Sequence, residues 1–305
     1  MTSINRRRFL HFSVAAAAAA GTSRLWGSPL PTNSPKGMRL GMIADVSKDA
    51  DAAIARVHQL GFPTCQVSTE HYSSELALRL KGALEKYSVE ATALLALGGG
   101  RMVWDFYEGP LTIGLVPRAT RRLRIDNMKR GSDFAKQVGI PAIHTHCGFI
   151  PENPNDPLYK ETVEAIREVA SDCQRRGQLF LYETGQETPI TLLRAIQDVG
   201  LDNQGINLDT ANLILYGKAN PVDALDMLGK YVRGLHAKDG FYPTDPRQLG
   251  KEAPIGQGKV DFPRIIKRLK ALNYQGPITI EREISGPQQI EDIKKSKAYL
   301  EKLIG

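Results

Sequence analysis

From Met38 onward, short runs of apolar and β-branched residues alternate with amphipathic stretches of helical period, and the pair recurs eight times without a sequence repeat or a low-complexity linker. The strand-like runs fall at 38–44, 63–68, 89–96, 141–147, 178–183, 204–209, 231–237 and 277–282. The helix-like stretches centre on 50–60, 74–86, 120–138, 160–176, 189–198, 221–229, 262–272 and 287–303. Eight β/α units in about 270 residues have the length and order of a single α/β domain, one (β/α)8 TIM barrel over residues 38–305. A doubly wound sheet would need fewer strands or an extra domain. The long intervals at 97–118, 147–159 and 238–261 all follow strands, so they are expected at the C-terminal mouth, where barrel enzymes keep their sites.

The first 30 residues do not belong to that pattern. Asn5-Arg6-Arg7-Arg8-Phe9-Leu10-His11 precedes a short apolar stretch from Phe12 to Ala20 and then a segment rich in Gly, Ser, Thr and Pro, the layout of an export signal peptide and linker. The apolar stretch is far shorter than the roughly 20 residues that span a bilayer, so no stable membrane anchor is expected. The paired arginines followed by Phe-Leu resemble a twin-arginine signal, with cleavage expected among Ala18 to Gly27 and the mature chain in the periplasm.

Charge has to be located before it is interpreted. The net charge of +7 includes Arg6, Arg7, Arg8 and Arg24 in an opening segment without acids, which leaves +3 on the remainder. With no clustered basic stripe, nucleic acid is not an expected partner. Cys65, Cys147 and Cys173 are an odd number without metal-finger spacing and imply no disulfide framework. Cys147 has no evident adjacent base and reads as a buried small residue rather than a nucleophile. The glycines at 98–100 and in Gly256-Gln257-Gly258 form loops and match no phosphate-binding pattern, which disfavours a nucleotide.

Strand alternation then selects the candidate chemistry. In the fifth run Leu179, Leu181 and Glu183 share one parity, against Phe180 and Tyr182. The sixth sets Gly205, Asn207 and Asp209 against Ile206 and Leu208, the seventh sets Val232, Gly234, His236 and Lys238 against Leu235 and Ala237, and the eighth sets Pro277, Thr279 and Glu281 against Ile278 and Ile280. The purely aliphatic parity must face the helices. Glu183, Asp209, His236 and Glu281 are therefore expected to point into the barrel from four consecutive strands. Three converging carboxylates would cost several kcal/mol each if buried unpaired, so a cation or an acid proton must compensate them, and a divalent metal does this best. One divalent metal ion suits this oxygen-rich set with one imidazole: Mn²⁺ first, with Mg²⁺, Co²⁺ or Zn²⁺ compatible.

Tyr182-Glu183-Thr184, Asn207-Leu208-Asp209, Leu235-His236-Ala237-Lys238-Asp239 and Ile280-Glu281-Arg282-Glu283 resemble the strand ends of the xylose isomerase-like TIM barrels, described broadly as sugar phosphate isomerases and epimerases. The resemblance covers roughly residues 38–303. It implies a Glu-Asp-His-Glu metal site, and from the ketose 3-epimerases of that superfamily it implies that Glu183 and Glu281 also move protons on opposite faces of a substrate. Two positions depart from those epimerases: Asn212 stands where they carry a His, and Tyr242 where they carry an Arg. The DNA-repair endonuclease branch shares that missing His and adds an Asp-x-His after strand seven, absent from this chain, so a trinuclear nuclease is not expected.

Further residues are expected around this centre. His146, Lys238, Asn212 and Trp104 are assigned as substrate contacts, His144 and Glu283 as supports behind the ligands, and Phe106 as a second aromatic of the loop after strand three. The expected activity is metal-dependent isomerisation or epimerisation of a small carbohydrate through an enediolate. Export favours a neutral sugar or keto-sugar, since sugar phosphates are cytoplasmic metabolites. The same proton abstraction would serve a lyase or hydrolase of oxidised keto-glycosides, and a carbohydrate-binding barrel without turnover is the reading from another class. Self-association through the outer helices is compatible with such a barrel.

Overall fold

The computed structural model describes residues 37–305; the expected export segment lies outside them. The strands are β1 (Arg39–Asp45), β2 (Thr64–Ser68), β3 (Glu90–Leu95), β4 (Ala142–Thr145), β5 (Leu179–Glu183), β6 (Gln204–Asp209), β7 (Val232–Ala237), the two-residue strands β8 (Asp239–Gly240) and β9 (Glu252–Ala253), and β10 (Pro277–Ile280). Eight of them close a parallel barrel in the order β1-β10-β7-β6-β5-β4-β3-β2, while β8 and β9 form a separate antiparallel ribbon in the loop after β7. The chain is a TIM barrel.

The helices are α1 (Ala50–Gln59), α2 (Ser74–Tyr87), α3 (Gly109–Thr112), α4 (Arg118–Val138), α5 (Pro157–Arg175), α6 (Pro189–Val199), α7 (Thr210–Leu215), α8 (Pro221–Leu228), α9 (Phe262–Ala271) and α10 (Pro287–Ile304). Their starts follow local chemistry. Asp49, Ser73, Asp156, Asn220 and Asp261 each accept a backbone N–H of the first turn, and proline occupies the first turn of α5, α6, α8, α9 and α10, where its missing donor costs nothing. All described helices lie around the barrel except α3 and α7, which are short inserts at the mouth, and none is long and apolar enough to cross a membrane.

The main apolar core lies between barrel and helices, built from outward strand residues such as Phe180, Ile206, Leu208, Leu235, Ile278 and Ile280. Inside the barrel the apolar filling is thin, with Ala93, Ala142 and Leu181 forming a small separate cluster. The rest of the buried interior is polar: Gln66, His144, Asn207, His236 and Thr279. The loop 96–117 is held by Arg124 of α4. This fully buried guanidinium donates to the carbonyls of Gly99, Arg101, Gly114 and Thr112. All three cysteines are buried free thiols, and burial first, with Glu187 acting in the same direction, pushes Cys147 well above the usual thiol range, consistent with an inert packing role.

Candidate active site

The four strand ends come together as the parity argument requires. One donor atom each from Glu183, Asp209, His236 and Glu281 lies within 4.8 Å of the others. Their strands are adjacent in the barrel, β5, β6, β7 and β10, so Glu183 and Glu281 occupy the two ends of an arc whose middle is Asp209 and His236. His236 Nδ1 lies 2.7 Å from Glu183 Oε1, 3.1 Å from Glu281 Oε2 and 3.8 Å from Asp209 Oδ2. Glu281 stands one residue past the end of β10, yet its N–H still bonds the Ala237 carbonyl, which keeps the strand's parity.

The electrostatics follow from burial and proximity. Burial pushes the Asp209 carboxyl up to about 7 against the opposing pull of Lys238. For Glu281 burial acts in the same direction but Lys238 and His236 outweigh it, and the carboxyl is held well below its usual range. Glu183 is likewise lowered despite burial, by His236, His146 and His144. Burial disfavours a charged His236, but Glu183 and Glu281 overcome it and raise the imidazole well above its ordinary value.

Asp209 Oδ2, His236 Nδ1 and Glu281 Oε2 are buried and none has a hydrogen-bond partner. Three buried polar atoms that face one another from different strands and meet only as charges, with three carboxylates in the set, are what a divalent cation would satisfy. The residues present therefore fit one hard metal ion.

The surrounding assignments fall at different distances from this point. His144 is closer than expected for a core residue: its Nδ1 is hydrogen-bonded to Glu183 Oε2 at 2.9 Å, and its ring stands edge-on to His236. His146 Nε2 is 3.7 Å from the same Glu183 oxygen, its Nδ1 meets Gln186 Oε1 at 3.2 Å, and Trp104 stacks edge-on against its ring. Phe106 sits further out, edge-on to Tyr216. Lys238 is buried among the carboxylates, donating to Glu283 Oε1 at 2.6 Å and Asn212 Oδ1 at 3.2 Å, with Glu281 Oε2 at 3.5 Å. Arg282, on the outward parity, bridges Glu252 and Asp292 and so fixes the segment that carries Glu281 and Glu283.

Three residues near this centre escaped the sequence reading. Gln66 accepts from or donates to two of the interior residues. Gln186 touches His146. Glu187, fully buried with Oε2 unpartnered, has its carboxyl pushed up to about 8 by burial. A polar residue at inward parity between Cys65 and Val67 was the available signal for Gln66; for Glu187, four residues past Glu183 in a loop, there was none.

A parallel eight-stranded barrel with three carboxylates and an imidazole converging inside its C-terminal mouth defines the class to which this molecule belongs. The chain is a member of the family described as Xylose isomerase-like TIM barrel, which it matches over residues 54–303. The crystal structure of a xylose isomerase domain protein from Planctomyces limnophilus is 35% identical, with a TM-score of 0.81 over 88% of this chain and 97% of that one. A 3-keto-D-glucoside 4-epimerase from E. coli shares the fold at 17% identity and a TM-score of 0.65, over 87% of this chain and 99% of that one. An uncharacterized protein of Methanocaldococcus jannaschii is 25% identical over 201 residues, 60% of this chain; the match spans 63% of that protein's length.

Proposed function

We propose that this chain is an isomerase or epimerase that binds one divalent metal ion, Mn²⁺ by preference, and acts on a neutral sugar or keto-sugar. The observation that carries the reading is the convergence within 4.8 Å of buried ligand atoms from Glu183, Asp209, His236 and Glu281, of which Asp209 Oδ2, His236 Nδ1 and Glu281 Oε2 make no hydrogen bond. Glu183, Asp209, His236 and Glu281 would hold the ion. When bound, it polarises a carbonyl and the neighbouring hydroxyl and acidifies the C–H between them. Glu183, kept ionised by His236, His146 and His144, takes that proton. Glu281 stands at the other end of the arc; ionised at rest, it first takes a proton from solvent, and delivery of that proton to the opposite face gives the epimer while Glu183 releases the abstracted one to solvent. Return at the neighbouring carbon gives an aldose–ketose shift. Lys238 adds a fixed positive charge beside the developing oxyanion.

Two features support an uncharged substrate. Two cations at the mouth, Lys238 and Arg282, are each already paired with carboxylates, and Trp104, 42% exposed, sets its ring beside His146, a surface suited to the apolar face of a sugar. The 4-epimerase of a keto-glucoside among the structures sharing this fold is consistent with that choice.

The test is turnover of a sugar and keto-glycoside panel in D₂O, followed by proton NMR. Solvent deuterium is expected at the carbon next to the carbonyl, and Glu183→Gln and Glu281→Gln variants that retain metal should lower turnover by ~10²–10⁴-fold. Turnover without deuterium at that carbon overturns the two-glutamate scheme. Exchange accompanied by loss of the glycosidic group would make the protein a lyase, and binding with no exchange a carbohydrate-binding barrel.

A further inference from the structure

We infer that Gln66, reaching across the barrel interior from β2, is a positioning residue that fixes which ring nitrogen of His236 faces the metal; the inference rests on the metal reading above. Gln66 is 1% exposed and lies at the inward parity of a strand whose neighbours Cys65 and Val67 point into the outer core. Its Oε1 is 2.5 Å from His236 Nε2, and its Nε2 donates to Asn207 Oδ1 at 3.0 Å. These are the two hydrogen bonds by which an amide can pass orientation from one group to the next.

The polarity of this chain is set by what the other side of the imidazole must do. Nδ1 is the nitrogen that faces Glu183, Asp209 and Glu281, so it must present a lone pair to a metal. Nε2 then carries the hydrogen and requires an acceptor, which among the described residues the oxygen of Gln66 supplies. Asn207, on β6 between the strands of Glu183 and His236, keeps the amide the right way round by accepting from its nitrogen. Gly234 completes the arrangement: a Cβ there would lie 2.5 Å from Asn207 Oδ1 and 3.5 Å from Gln66 Nε2, so a side chain on β7 would push the two amides apart. A glutamine, an asparagine and a glycine on three strands are thus explained by one requirement. Groups that orient a metal-binding imidazole are worth 10–100-fold in metal affinity.

The experiment measures Mn²⁺ affinity and the Mn²⁺ electron paramagnetic resonance line shape for the wild-type protein, Gln66→Met and Gln66→Glu, with thermal melting of each metal-free protein as the control for packing. Gln66→Met keeps the volume without the acceptor and should weaken Mn²⁺ binding by ~10–100-fold with an altered line shape. Gln66→Glu keeps an acceptor oxygen and should bind as the wild type does. Wild-type affinity in Gln66→Met, or equal losses in both variants, overturns the inference. A second readout needs no variant: nitrogen NMR of the Mg²⁺-loaded protein should show His236 protonated at Nε2 and bare at Nδ1, and the opposite tautomer overturns it. A wild-type protein that takes up no divalent ion overturns the metal reading itself, an outcome distinct from either of these.

Discussion

Asp209 Oδ1 accepts the backbone N–H of Asn212 at 2.7 Å, while Oδ2 of the same carboxylate is buried without a hydrogen-bond partner. One residue thus ends a barrel strand, caps the helix α7 that begins beside it, and offers a donor to the centre. The cap also fixes Asn212, whose side-chain oxygen accepts from Lys238.

The two duties of Asp209 separate on substitution. Asparagine caps helices as well as aspartate does, so Asp209→Asn should keep α7 while removing the ligand's charge. Bound divalent metal should fall sharply, and the melting temperature should cease to respond to added Mn²⁺. Metal content equal to the wild type would remove Asp209 from the ligand set.

Arg124 supports the loop that brings Trp104 against His146. Its donors are the partners of four buried or half-buried carbonyls, so Arg124→Met should cost at least about 3 kcal/mol, with the loss concentrated in residues 98–114. Hydrogen exchange over that loop checks it; unchanged protection there would show that the loop holds itself.

Glu187 makes stability depend on pH. Its carboxyl is raised by burial to about 8, above the ordinary 4.5, so the unfolded chain releases this proton first and stability falls as pH rises from about 4.5 to about 8. Glu187→Gln imitates the protonated form at every pH. It should melt like the wild type at pH 4 and be more stable at pH 8, by an amount on the order of a few kcal/mol. Equal melting at both pH values would place the ionised carboxylate in a solvated setting.

Export is open to a direct assay. Replacing Arg6, Arg7 and Arg8 by Lys should hold the precursor in the cytoplasm. Undiminished processing in the periplasm would discard the twin-arginine reading.

The barrel was legible because each strand sorts its residues by side: Phe180 and Tyr182 outward, Leu181 and Glu183 inward. The same alternation located the four converging donors before any distance was known. Helix α7 was hidden because Thr210–Leu215 is buried on all sides and shows no helical period, and because Asp209 looks in sequence like a strand end alone. The strands read as 141–147 and 277–282 are shorter, Ala142–Thr145 and Pro277–Ile280, since His146 and Glu281 keep the side-chain parity beyond the last paired residues. Arg124, Gln66 and Glu187 went unnoticed because their significance comes from what surrounds them across the fold, and a buried charge or amide reads in sequence like an exposed one.

Asp239, the residue after Lys238, spreads its carboxylate over the N–H groups of Gly240, Gly256, Gly258 and Val260, and a Cβ at position 258 would collide with it at 2.1 Å. The loop after β7 is thereby knotted at its base, where both of its ends meet beside the cluster of Glu183, Asp209, His236 and Glu281. Everything from Tyr242 to Gln248 hangs outside that knot. Exchange of the tip is consequently expected to leave Lys238 undisturbed, which makes this segment the natural cassette for changing what the proposed site admits.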